Sequence, residues 1–276
     1  MKRLPMFLLA SLLAMPALAN ERWAVYYGDK LAADSFAAHD VVVLDGEYTA
    51  PLADLKKQGK TVLGYISFGE AENYRSFFSD VKALNVLLEE NPQWPGHIVV
   101  DVRKQAWRDY LINTLIPEVL ARGFDGVMFD TVDSPLHIGH KNEEERRHMQ
   151  QATIALLCEV RSAFPDIKIM INRGFDVFPA VAPCINMLLA ESTLTDLQLD
   201  TVKKPRLLDD KLYGWYVDLM KRAQRVNPHL KIYTLDYWPQ EDANGIMQIY
   251  ATQRGNGFIP YVSTMELQQV YSEPKK

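Results

Sequence analysis

Asp130 and Glu191 each stand at the end of a strongly apolar run, "GVMF" (126–129) and "INMLLA" (185–190). A carboxyl group so placed is partly removed from water, which disfavours its charged form and moves its pKa toward the range where it can give or take a proton. Two such carboxyls meeting in one cleft would be a general acid and a nucleophile or base, the pair that breaks a glycosidic bond. Asp133 follows three residues after Asp130 in "GFDGVMFDTVDSP" (123–135), just ahead of a loop-forming Ser134-Pro135, and is the other candidate for the strand-end acid.

Further polar groups end other apolar runs: Asp45-Gly-Glu47, Ser67-Phe-Gly-Glu70-Ala-Glu72, Asn172-Arg173 and Asp236-Tyr237-Trp238. Asp45, Glu72 and Asp133 are as well suited to capping the next helix as to touching a substrate. Tyr26, Tyr27, Tyr65, Tyr237 and Trp238 could stack on sugar faces, and two or three of them are expected to be open to a cleft.

Eight short runs rich in β-branched and aromatic residues must place these groups: 23–28, 41–46, 61–69, 126–133, 167–174, 185–192, 231–238 and 257–263. Near-continuous apolar character is expected of parallel strands buried on both faces, with helices as crossovers. The segment 105–123 repeats apolar residues at three- and four-residue spacing and stops at Gly123, and 142–165 opens on Asn142, a suitable N-cap. Eight strands alternating with helices in roughly 250 residues predict an α/β fold, a (β/α)8 TIM barrel in a single domain over 20–276. An extra run, "HIVVDV" (97–102), reads as an insertion between the third and fourth barrel strands. An open nucleotide-binding sheet is disfavoured, because no Gly-x-Gly-x-x-Gly or P-loop motif is present.

Residues 1–19 have the layout of a secretory signal peptide: Lys2 and Arg3, a short apolar stretch, then Ala17-Leu18-Ala19. The expected product is exported, periplasmic or secreted, without stable membrane insertion. Removal of that segment takes two bases and no acid, leaving 28 Lys and Arg against 35 Asp and Glu, a net charge of −7. Nucleic acid is therefore not an expected partner. Cys158 and Cys184 read as small buried residues ahead of a disulfide, since sequence does not fix their separation. His137 and His140 lack an evident third ligand, so no metal is expected. Ser67 and Ser192 lie outside any Gly-x-Ser-x-Gly elbow, and "NEEERR" (142–147) is the exposed start of a helix. A monomer is expected.

"GYISFGEAENYR" (64–75), "GFDGVMFDTVDS" (123–134), "MINRGF" (170–175) and "LLAES" (188–192), taken in order, resemble glycoside hydrolase family 114, the endo-α-1,4-polygalactosaminidases, and the related hydrolase domain of Pel polysaccharide machinery. The likeness runs from about Trp23 to Thr264. It implies a (β/α)8 barrel that cuts α-1,4-linked galactosamine-containing polysaccharide without a metal or organic cofactor. Carried over residue by residue, the catalytic Asp falls on Asp130 and the catalytic Glu on Glu191, and the motif residues Tyr65, Glu70 and Arg75 are all retained. Glu191 is assigned the general-acid role and Asp130 the nucleophile or base role. Tyr27, Asp45, Tyr65, Glu70, Asp133, Asn172, Arg173, Asp236, Tyr237 and Trp238 are expected to bind substrate, and the acids among them, with Glu72, to attract a partly deacetylated, ammonium-bearing polymer. The alternative is a carbohydrate-binding barrel without turnover. Retention or inversion is left open, because it depends on the carboxyl separation.

Overall fold

In the computed structural model, residues 21–137, 142–196 and 206–274 are described. The signal-peptide expectation for residues 1–19, and His140, lie outside them. Eight parallel strands form a nearly closed barrel: β1 (Trp23–Tyr26), β2 (Val41–Asp45), β3 (Thr61–Ser67), β7 (Gly126–Asp130), β8 (Lys168–Asn172), β9 (Met187–Glu191), β10 (Lys231–Tyr237) and β11 (Ile259–Ser263), paired in that order. Trp23 of β1 packs on Tyr261 of β11, with ring centroids 5.6 Å apart, where the two ends of the sheet meet. The fold is the (β/α)8 barrel expected from the rhythm of the sequence.

The insertion follows β3. β4 (Glu70–Glu72), β5 (Leu87–Glu90) and β6 (His97–Val100) make a separate antiparallel sheet in the order β4-β6-β5. The run at 97–102 is therefore an insertion as expected, but Glu70-Ala-Glu72 belongs to it as a strand rather than to a loop closing β3. Gly69 makes the turn between them: a side chain there would meet the Thr131 carbonyl oxygen at 2.2 Å.

The helices are α1 (Ala53–Lys57), α2 (Phe78–Ala83), α3 (Gln105–Tyr110), α4 (Ile116–Ala121), α5 (Ser134–His137), α6 (Glu143–Ala163), α7 (Asp210–Val226) and α8 (Ala243–Gly255). A π-turn, Leu111–Leu115, joins α3 to α4. Gly123 follows α4 at φ +103°, a conformation that ends a helix at little cost for glycine. Asn142 caps α6 by accepting from the Glu145 N–H at 2.9 Å.

Strand periodicity of two sorts the barrel side chains into two cores. Val41, Val43, Leu63, Tyr65, Met128, Met170, Leu189, Tyr233, Leu235 and Tyr261 pack together inside the barrel. Val42, Leu44, Val62, Val127, Phe129, Ile169, Ile171, Leu188 and Ile232 alternate with them and pack outward in the larger core. Phase along each strand thus decides which terminal residue enters the barrel mouth.

Cys158 and Cys184 form a disulfide with Cα atoms 5.0 Å apart, contrary to the reading of two unlinked buried residues. The bond ties α6 to the turn preceding β9, a proximity created only when α6 packs on the sheet. Closing a loop of 26 residues stabilises the fold by about 3.5 kcal/mol in the chain-entropy account. Cys184→Ser should lose about that much in denaturant unfolding, and a reducing agent should destabilise the wild type but not the variant.

Candidate active site

Seven side chains in phase with the inner core emerge at the carboxyl ends of the strands: Tyr27, Asp45, Tyr65, Asp130, Asn172, Glu191 and Tyr237. All seven line one cleft of about 910 Å³. At its centre the side-chain amide of Asn172 bridges the two candidate catalytic acids, Nδ2 donating to Asp130 Oδ1 at 2.9 Å and to Glu191 Oε2 at 2.6 Å. Those two oxygens share one nitrogen, so they lie no more than 5.5 Å apart, the sum of the two bonds. The Tyr237 hydroxyl donates to Glu191 Oε1 at 2.5 Å. The Thr131 N–H donates to Asp130 Oδ1 at 2.8 Å. Among the described residues nothing donates to Asp130 Oδ2, whereas both oxygens of Glu191 are engaged.

Burial, and then the charge of Glu191, push the Asp130 carboxyl up to about 7, against the opposing effect of its bonds to Asn172 and Thr131. The same surroundings hold the Tyr27 hydroxyl well above its ordinary range, first by burial and then by Asp130 and Glu191.

The backbone is bent at each of these strand ends. Thr131, Arg173 and Ser192, which follow Asp130, Asn172 and Glu191, have φ of +58°, +53° and +51°. Left-handed backbone is uncommon for non-glycine residues and an outlier for β-branched threonine, and such strain collects where geometry must be fixed. Thr131 is held there by its own hydroxyl, which bonds Ser67 Oγ at 2.9 Å and accepts from the Gly69 N–H at 3.0 Å. Ser67 thus braces the Asp130 turn.

One wall of the cleft is organised by Arg75. Its Nη1 donates to both oxygens of Asp45 at 2.8 Å and its Nε to Glu72 at 2.6 Å, with the guanidinium 5.3 Å from the Tyr65 ring centroid. Burial works against the Arg75 charge, but Glu72 and Asp45 outweigh it and raise its pKa. Tyr65 completes the cluster with a 2.8 Å bond from its hydroxyl to Glu72. On the opposite side Arg173 Nη1 donates to the Glu191 carbonyl oxygen at 2.9 Å, and its Nε lies 3.4 Å from Asp133. Asp133 therefore stands in the loop beside Arg173, away from the Asn172 bridge.

Two residues expected to bind substrate do not reach the cleft. Asp236 is out of phase with the inner core and fully buried against α8, where Gln253 donates to it at 2.7 Å and Thr195 bonds it through N–H and hydroxyl at 3.0 Å. Trp238 lies past the end of β10, packs against the Ile246 cluster and donates to Asp242 at 2.8 Å, at the cap of α8. The acidic lining is also less free than its sequence suggests, because Asp45 and Glu72 pair with Arg75 and Glu70 pairs with His97. The cleft contains groups that no strand-end pattern marks: Tyr74, Asn91, Trp94 and His97 from the insertion, and Tyr216 from α7. His137 pairs with Asp176 at 2.9 Å. Among the described residues no cluster of three or more His, Cys, Asp or Glu is placed to hold a metal ion.

A parallel barrel that brings two partly buried carboxyls together at the carboxyl ends of its strands, linked by one amide, has the equipment of a glycosidase. The chain belongs to glycoside-hydrolase family GH114, which it matches over residues 10–276. It is similar to the glycoside hydrolase domain of PelA from Pseudomonas aeruginosa, with 25% identity over 91% of this chain and 98% of that one and a TM-score of 0.79. It shares its fold with Ega3 from Aspergillus fumigatus, solved in complex with galactosamine, at 16% identity, 92% and 95% coverage and a TM-score of 0.68. An uncharacterized protein of Deinococcus radiodurans is 28% identical over 92% of this chain and 84% of its own length.

Proposed function

We propose that this glycosidase cleaves α-1,4-linked polysaccharide containing galactosamine or N-acetylgalactosamine, with retention of configuration. The substrate class rests on the resemblance to the endo-α-1,4-polygalactosaminidases, on the family and on the shared fold with Ega3, which was solved with galactosamine bound. The observation that carries the mechanism is the Asn172 bridge, which holds the facing oxygens of the two acids within 5.5 Å, close enough for both to work on one glycosidic bond as the closely spaced pair of a retaining enzyme does.

Asp130 is the nucleophile, through the Oδ2 that no described residue occupies, and Glu191 is the general acid. In the first step Asp130 attacks the anomeric carbon, the glycosidic C–O bond breaks, and the Glu191 proton passes to the leaving oxygen. In the second step Glu191 takes a proton from water, whose oxygen displaces Asp130 and restores the α configuration. Asp130 keeps a proton up to about pH 7, so the pair holds the single proton the reaction needs. Positive charge developing at the anomeric carbon favours the Asp130 carboxylate and leaves that proton to Glu191. Asp133 and Arg173 brace the strand ends from the neighbouring loop.

Incubation with purified galactosamine-rich polymer should release new reducing ends, and proton NMR of the first product should show the α anomer before mutarotation. A β anomer appearing first would establish inversion. Binding without new reducing ends would make the protein a carbohydrate-binding barrel instead. Export of the folded chain is proposed from residues 1–19 and is checked by cell fractionation. No helix among the described residues is long and apolar enough to cross a membrane.

A further inference from the structure

We propose that the insertion carries a sugar-binding subsite, formed by Trp94, Tyr74 and His97, that holds a ring of the polymer on the insertion side of the cleft. It rests on the glycosidase reading above and extends it. Trp94 is 44% exposed and Tyr74 64% exposed, yet both line the same cleft as Asp130 and Glu191. His97 sits between them, its ring centroid 5.9 Å from Tyr74 and 6.2 Å from Trp94.

The supports beneath these rings are more elaborate than packing requires. Glu70, only 1% exposed, accepts from Asn91 Nδ2 at 2.8 Å and holds His97 Nδ1 at 3.1 Å. Placing a carboxylate out of water for this purpose is unfavourable unless its partners are fixed. Here the partners fix the imidazole on the cleft wall and leave Nε2 as the ring nitrogen available to a hydroxyl. The turn bearing Trp94 is equally constrained: Asn91 N–H donates to the His97 carbonyl at 2.7 Å, Trp94 N–H to the Asn91 carbonyl at 3.1 Å, and Asn73 N–H to the Gly96 carbonyl at 2.8 Å. Gly96 has φ +87°, and a side chain there would meet Asn73 at 2.8 Å. An exposed aromatic on a rigid turn loses little conformational freedom when a ligand stacks on it. A galacto-configured ring presents a contiguous C–H face opposite its axial hydroxyl, so the two aromatic faces and one fixed imidazole suit a single pyranose.

The test compares galactosamine oligosaccharides of three and eight residues. Trp94→Ala should raise KM for the octasaccharide tenfold or more with kcat within twofold, leave trisaccharide cleavage unchanged, and shift the product lengths. Trp94→Phe should recover most of the octasaccharide affinity, and Tyr74→Ala, a change at a more exposed position, should act in the same direction. Calorimetric binding of the octasaccharide to Glu191→Gln, with and without Trp94→Ala, reads the subsite without turnover, and a tenfold loss is expected. Cleavage by the wild type with equal effects on both lengths, or no effect, overturns the subsite and keeps the hydrolase. Absent cleavage by the wild type with the tenfold binding loss intact overturns the hydrolase and keeps the subsite.

Discussion

Asp130→Asn is expected to lower turnover by roughly 10²-fold or more and, at the same time, to make the protein more stable at alkaline pH. Both effects have one origin. The folded protein holds the Asp130 carboxyl up to about 7, chiefly by burial and then by Glu191, whereas the unfolded chain ionises it near 3.9. The neutral form is thus favoured by folding: its contribution is fully present below pH 4, declines as the unfolded state ionises, and is gone once pH passes about 7. Asparagine keeps the shape and cannot ionise, so its advantage is absent at pH 4 and complete at pH 8. Three pKa units correspond to about 4 kcal/mol, and relaxation of the coupled pair brings the expected gain to roughly 2–4 kcal/mol. Wild-type kcat/KM should fall as pH rises through the same region, because the pair then loses its shared proton. Denaturant unfolding at pH 4, 6 and 8, beside turnover of Asp130→Asn and Asp133→Asn on one polymer, checks the whole account. A stability change independent of pH would sink the burial argument; a near-normal Asp130→Asn with a dead Asp133→Asn would transfer the catalytic role to Asp133.

Arg75→Met should cost 3–5 kcal/mol, the loss expected when one partner of a buried ion cluster is removed. The Arg75 side chain is 9% exposed and that of Glu72 is 2% exposed, so methionine leaves Glu72 with only the Tyr65 hydroxyl among the hydrogen bonds that now anchor it to the barrel wall and the Tyr74 hydroxyl at 3.2 Å on its outer side. Asp45 loses two 2.8 Å bonds together. Lysine would not substitute, since one ammonium cannot hold Asp45 and Glu72 in the fixed fork that guanidinium provides. Turnover should fall with stability because Tyr65 and Asp45 form the wall beside Asp130. The double variant Arg75→Met/Glu72→Gln should recover part of the loss, the energetic signature of an unpaired charge. Unfolding of Arg75→Met within 1 kcal/mol of wild type would show the cluster to be dispensable.

Much of this site is legible in the sequence because strand ends are local. An apolar run stopping at Asp130 or Glu191 marks a buried strand reaching the barrel mouth, and the spacing of the runs gives the eightfold rhythm. Phase is legible too: counting by two from Leu235 places Tyr237 in the mouth and turns Asp236 outward to α8, so a polar residue at a strand end belongs to the mouth only when it is in phase with the inner core. Other features depend on chain segments that sequence leaves unplaced. Glu70–Glu72 becomes a strand only because it pairs with His97–Val99, and Cys184 meets Cys158 only after α6 has packed. The Asn172 amide reaches Asp130, 42 residues before it, and Glu191, 19 residues after it. Sequence by itself determined which residue types arrive at the mouth, since that follows from local periodicity and burial. Closure of the sheet decided how far apart they stand and which of them one amide can bridge, because those quantities depend on distances that exist only once β7, β8 and β9 lie side by side.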